Sequence, residues 1–157
     1  MVQSLFPLSL REQATFYRAA LLLGLVAGDE VVRWADAEIS RVENPPAALC
    51  DVALTPTGDA GDLSKLRAAL HRLADKREPP AVVARLLRIV TDDFTAGRRS
   101  ASDTIRILGQ MRDNVAIDDE LREALHPFAI QNMLASVGAE GAIEDVEVRL
   151  QAWVATR

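Results

Sequence analysis

The chain holds one cysteine, Cys50, and two histidines, His71 and His126, among 157 residues. A lone cysteine makes no intrachain disulfide, so stability has to come from a packed core, and a reducing, cytoplasmic compartment is the expectation. Two histidines leave little with which to pair a nucleophile and a base. Glycine-rich phosphate loops, C-x-x-C pairs and H-E-x-x-H are all missing, which removes the well-marked nucleotide, zinc-finger and metalloprotease readings. No Asn-Gly or Asp-Gly hairpin turn occurs, and no sustained alternation of β-branched and polar residues, so strands are not expected. Positive charge is in deficit, with 18 Lys and Arg against 23 Asp and Glu and a net charge of −5. Phosphate backbones and anionic lipids reward clustered cations, so neither nucleic acid nor membrane is an expected partner. The longest apolar run, "AALLLGLVAG" from Ala19 to Gly28, is too short for a bilayer, which takes about 20 residues. It follows "REQATFYR", where Glu12 spoils a basic leader, and it reads as a helix buried on most sides.

What is present is helical periodicity nearly everywhere, in a chain that is 49% hydrophobic. Ser9 and Glu12 form an S-x-x-E capping box that opens a helix running to about Leu23. A second helix starts near Gly28 and Asp29 and buries Val31, Val32, Ala35, Ile39 and Val42. Asn44-Pro45-Pro46 ends it and starts a short third helix, Ala47 to Leu54, because proline cannot continue a helix but fits its first turn. "TPTGDAGD" reads as an exposed loop. The fourth helix is expected from about Leu63 to Asp75, with a seam of Leu63, Leu66, Leu70 and Leu73. Pro79-Pro80 precedes a fifth with Val83, Leu86, Leu87, Val90 and Phe94 on one face. A sixth carries Ile105, Leu108 and Met111 after "AGRRSASD". Asp118 is the expected N-cap of a seventh, which Pro127 should kink or split. Gly138 or Gly141 precedes the last, with Ile143, Val146, Leu150 and Trp153 as its stripe. The fold expected is all-α: one domain over residues 1–157, a bundle or short helical-repeat-like array of about seven or eight antiparallel helices. Two segments, "RVENPPAALCDVAL" and "DKREPPAVVARLL", repeat charges, a proline pair and an apolar helix, with the prolines 34 positions apart. That spacing falls within helical-repeat periods, but no third copy follows.

Few residues offer chemistry. His71 lies away from Leu66 and Leu73 on the helical wheel and so faces solvent, and Cys50 lies in the apolar face "ALCDVAL" as a small hydrophobe. Glu123 and His126 form a single E-x-x-H, whereas di-iron bundles need two. Glu120 with Glu123, and Glu144 with Glu147, place carboxylates at i and i+3 on two successive helices. That pattern resembles the all-helical nucleotide pyrophosphatases, and the resemblance implies Mg2+ and a pyrophosphate-bearing substrate. It departs from them at Glu147, where the family has aspartate, and Glu120 and Glu123 lie off the Leu121/Leu125 face, pointing outward. The plainer reading is that these acids complement the helix dipole and keep the protein soluble. No cofactor is expected. Arg98 and Arg99, with Arg106 and Arg112 beyond them, form one locally basic strip, either a solvated helix edge or a contact for an anion or partner.

The remaining signal is Trp34. It borders the buried face of the second helix, and Asp36 falls further round toward solvent. A tryptophan there either packs between helices, with its indole N–H on a carbonyl or water, or anchors a partner. The stretch "GLVAGDEVVRWADAEISRVENPPAALCDVAL" resembles a segment of small, uncharacterised helical bacterial proteins, some of them suspected immunity partners of secreted toxins. The resemblance covers the first third of the chain, with Trp34, Ala35, Asp36 and Ile39 as the matching positions. It implies a hairpin-specifying core rather than a catalytic motif. The expected function is a non-enzymatic protein-interaction module, an immunity-type neutraliser being one form, with Trp34, Asp36, Arg98 and Arg99 as candidate contacts. The alternatives are a Mg2+-dependent hydrolase using the four glutamates, and a self-assembling helical protein that buries Trp34 or Trp153 in a homo-oligomer.

Overall fold

A computed structural model of the chain describes residues 7–138 and 143–156, and side chains for these except 143–145. The described residues form eight helices and no strand: α1 (Leu10–Leu22), α2 (Gly28–Ile39), α3 (Ala47–Ala53), α4 (Ala60–Leu73), α5 (Pro80–Thr95), α6 (Ala101–Asn114), α7 (Asp119–Ser136) and α8 (Ile143–Ala155). The all-α architecture is the one the periodicity predicts. The chain forms two compact units, Met1–Val82 and Val83–Arg157.

The first unit is built on α1 to α4. The Ser9/Glu12 box forms as expected: Glu12 N donates to Ser9 Oγ at 3.2 Å and Ser9 N to the Glu12 carboxylate at 2.8 Å. α1 closes in a Schellman turn, with Leu25 N bonded to Ala20 O at 2.8 Å and Gly24 N to Leu21 O at 3.2 Å. Gly24 takes the left-handed conformation this turn requires, at φ 70°, which a Cβ would disfavour. α1 packs on α4, α2 on α3, and α3 on α4. Their shared core contains Ala14, Val31, Trp34, Leu49, Val52, Leu66 and Leu70. α4 starts three residues earlier than predicted, so Ala60–Asp62 belong to its first turn rather than to the loop. The cause is local: the Asp62 carboxylate turns back to accept from Asp59 N at 3.1 Å, satisfying a donor that a loop would leave to water. Leu63, expected in the seam, is exposed.

One polar network ties α1 to the segment after α4. Thr15 Oγ1 accepts from Asp75 N at 2.8 Å and donates to Arg11 O at 2.8 Å. One turn on, Arg18 donates to Asp75 O and to Glu78 Oε1, both at 2.9 Å.

In the second unit the widest interface joins α6 and α7, and α8 packs on both. Asp118 caps α7 as predicted, accepting from Leu121 N at 2.7 Å. Pro127 does not split α7, which runs unbroken through it. The carbonyl that loses its helical donor belongs to Glu123, which is exposed, so water can satisfy it. Leu121, Leu125 and Phe128 are buried, as are Ile105, Leu108 and Met111 on α6. Phe128 meets Trp153 of α8 edge-on, ring centroids 6.0 Å apart. Gly138, at φ 71°, follows α7, while Gly141 and the side chain of Ile143 lie outside the described residues.

Candidate interaction surface

α2 carries Glu30, Arg33, Trp34, Ala37 and Glu38 at steps of three and four, which a 3.6-residue helix turns into one stripe, and Arg41 follows just beyond its end. α1 lies alongside with Gln13 and Tyr17, also four apart. Together these eight residues line a shallow, open groove of about 440 Å³. Its floor is aromatic: Tyr17 and Trp34 stack at a tilt, centroids 4.7 Å apart and planes at 33°, and Phe16 meets Tyr17 edge-on at 5.2 Å. Trp34 is 8% exposed. Its indole N–H donates to Gln13 Oε1 at 2.7 Å, and the Gln13 amide N–H₂ donates in turn to Leu8 O at 3.0 Å. The ring therefore packs between α1 and α2, and a side-chain amide takes its donor rather than a backbone carbonyl or water.

Glu38, like Gln13 and Tyr17, is a group on this surface that sequence reading missed. Its side chain is 12% exposed and pairs at 3.0 Å with Arg41, whose side chain is 72% exposed. Only Oε1 takes that bond; among the described residues nothing donates to Oε2. Burying a carboxylate costs free energy unless it is paired and hydrogen-bonded; Arg41 pairs with Oε1, and neither Glu38 oxygen is among the buried side-chain atoms left without a partner. The signal was available: Glu38 is four residues from Trp34 and so on its face. The other charges of the stripe are occupied. Glu30 accepts from Ala27 N at 3.1 Å, and Arg33 pairs with Asp29 at 3.3 Å.

The remaining candidates lie elsewhere. Asp36 is exposed on the flank of α2, outside the groove, and its carboxylate has no partner among the described residues. Arg98 and Arg99 follow α5 and converge on one acid: Arg98 Nε donates to Asp93 Oδ1 at 2.9 Å and Arg99 Nη2 to Asp93 Oδ2 at 3.2 Å. Partial burial is the largest influence on Asp93 and raises its affinity for a proton. The two hydrogen bonds and the two guanidinium charges outweigh it together, and hold the carboxyl below its ordinary value of 3.8. Both arginines are thus engaged within the chain. Glu120 and Glu123 are exposed on α7, Glu147 is half-buried on α8, and the side chain of Glu144 lies outside the described residues. Among the described residues, no three of His, Cys, Asp and Glu converge as a metal site. Cys50 is half-buried and His71 exposed. No helix among the described residues is long and apolar enough to cross a membrane.

Comparison with protein-family models, with curated proteins and with solved structures finds no match for this chain.

Proposed function

We propose that the chain is a non-enzymatic protein-interaction module that docks a partner protein in the groove between α1 and α2. One observation carries the reading: Tyr17 and Trp34, stacked on each other, line an open groove together with Gln13, Ala37 and the charged Glu30, Arg33, Glu38 and Arg41. Aromatic side chains beside a polar rim are the usual anchors of protein interfaces, because they offer large area at little conformational cost. Neutralisation of a partner, as in immunity proteins, is the specific form suggested by the resemblance around Trp34–Ala35–Asp36–Ile39. A cytoplasmic site of action suits the single cysteine, and an acidic chain suits a protein partner better than nucleic acid or membrane. Self-association through the same groove would be a homo-oligomeric form of this activity.

The test is a blocking substitution. Ala37 is exposed on the groove, so Ala37→Trp fills it without touching the core. Proteins co-purified from the native host with the wild-type chain should be lost with Ala37→Trp and kept with Glu120→Gln on α7. Recovery of the same proteins with both variants would remove the groove from the account, and light scattering of the pure chain separates a second copy from a different partner.

A further inference from the structure

We infer that the outward face of α7 is a docking seam for an amphipathic helix of a basic partner protein, one that brings apolar side chains to Ile130, Met133 and Val137 and a cation to Asp119 and Glu123. This surface belongs to the second unit and is independent of the α1–α2 groove.

In its C-terminal half, α7 is apolar on two sides. It buries Leu121, Leu125 and Phe128, so its far side should be polar, as on an ordinary surface helix. Instead Asp119, Glu123, His126, Ile130, Met133 and Val137 follow one another at steps of four, three, four, three and four, and all six are exposed. That alternation is the seam of a coiled coil, the spacing that lets one helix lie along another. Its last three positions are apolar: Ile130, Met133 and the C-cap Val137 are 40%, 60% and 72% exposed, and Leu134 beside them is half-buried. Single apolar residues in water are ordinary, whereas a contiguous exposed stripe rimmed by polar groups marks a contact surface.

Charge selects the occupant. Residues 118–150 hold eight acids against two bases, Arg122 and Arg149, a net of −6 in a chain whose total is −5. The Arg122 guanidinium is turned to the Arg112 and Ile117 carbonyls, and Arg149 stands on α8, whose Trp153 meets α7 through Phe128 on the buried side. Neither cation is bonded to the seam, and Asp119 and Glu123 have no ion pair among the described residues. The helix dipole accounts for acids in the first turn, but Glu123 lies beyond it. A second copy of the chain fits badly in either direction: parallel, it sets acid against acid; antiparallel, it sets the acids on the apolar half, where a carboxylate is costly to cover. An anionic membrane meets the same field with the wrong sign. A helix with lysine or arginine at one end of its seam and aliphatic residues along the rest satisfies both halves, and the negative potential steers it in.

The test is a nuclear magnetic resonance titration of the full chain, labelled at its methionine methyl groups, with a synthetic helical peptide of leucine and lysine heptads and with the same peptide carrying glutamate for lysine. Met111 is buried and Met133 exposed, and Met133→Leu assigns the second signal. The Met133 methyl is expected to shift saturably with the lysine peptide while Met111 stays still, and the glutamate peptide should move neither. Val137→Ser should weaken binding by about fivefold and Glu123→Lys by about tenfold at low salt, the second loss shrinking as salt is raised. Both side chains are mostly in solvent, so both variants should keep the wild-type thermal midpoint. Ala37→Trp should leave this titration unchanged, so the seam and the α1–α2 groove stand or fall separately. An unmoved Met133 methyl, equal binding of the glutamate peptide, or unchanged affinity in Glu123→Lys would each overturn the proposal. So would self-association by light scattering that Val137→Ser abolishes, which would assign the seam to a second copy, or a Met133 shift with vesicles of anionic lipid, which would assign it to a membrane.

Discussion

Gln13 and Trp34, 21 positions apart in sequence, are joined by a 2.7 Å hydrogen bond from the indole nitrogen to the amide oxygen, and that bond holds the aromatic floor in place between α1 and α2. Its strength is testable because only one of its partners is costly to orphan. Gln13→Leu leaves a buried indole N–H without an acceptor, a loss of about 1–3 kcal/mol. In a Trp34→Phe background the same change should cost much less, since no donor remains. Urea unfolding of the two single variants and the double variant gives the coupling, and equal costs in both backgrounds would show that the bond contributes nothing.

Arg18 and Glu78 make another long-range polar contact of the first unit, with side chains 15% and 11% exposed and 2.9 Å apart. Removing Arg18 takes a charged partner from the largely buried Glu78 carboxylate and a donor from the Asp75 carbonyl, so Arg18→Met is expected to destabilise by about 1–3 kcal/mol. Arg18→Lys should recover only part of this, because an ammonium does not offer the fork that reaches both the Asp75 carbonyl and the Glu78 carboxylate. Amide hydrogen exchange supplies the local check: the Asp75 amide, bonded to Thr15, should exchange faster in Arg18→Met. An unchanged exchange rate there would mean that the ion pair does not hold this segment.

These two contacts mark where sequence reading stopped. The helices were legible because each announces itself locally: Ser9 with Glu12 and Asp118 with Leu121 cap their own turns, and Leu121, Leu125 and Phe128 share a face through period alone. The start of α4 was misread because the Asp59/Asp62 box lay in a Gly- and Pro-rich run that also spells a loop. Pro127 was expected to kink or split α7 and does not split it, since its effect depends on whether the freed carbonyl can be hydrated, which is a property of the folded surface. Trp34 was picked out correctly as an edge residue, but Gln13, Tyr17 and Arg18 were not, because each meets a partner on another element and no spacing within one helix reveals it. Arg98 and Arg99 read as free cations for the same reason, although the carboxylate they bind, Asp93, is only five and six positions away.

At Gly109 the α6 backbone lies close against α7. A Cβ there would collide with the amide nitrogen of Asn132 and lie 3.1 Å from both Asn132 Cγ and the Phe128 carbonyl oxygen. The amide it would displace donates to Arg106 O at 3.0 Å, so it is not free to swing aside without loss. Ala is the better helix former by about 1 kcal/mol, yet overpacking costs about 1–3 kcal/mol, and the backbone carbonyl cannot retreat as a side chain can. Gly109→Ala is therefore expected to lower the thermal midpoint. Pairing it with Asn132→Ala should return part of the loss, and a midpoint raised by Gly109→Ala alone would mean that the two helices separate freely.

Asp93 supplies the pH dependence. Its backbone carbonyl accepts from Arg98 N at 2.8 Å and Arg99 N at 3.2 Å, while its carboxylate takes both guanidinium groups, so one residue closes the turn after α5. Because its carboxyl is held below its ordinary value of 3.8 in the fold, the unfolded chain takes up a proton at higher pH than the folded chain does. The stabilisation is then complete above the unfolded value and disappears as pH falls through the folded one. With Arg98 mostly in solvent, solvent screening limits the contribution to about 1 kcal/mol. Asp93→Asn should thus be less stable than the wild type by about that much at neutral pH, and the two urea midpoints should converge on acidification below about pH 4. Midpoints that diverge in acid would mean that the carboxylate is disfavoured in the fold and that Arg98 and Arg99 do not outweigh its burial.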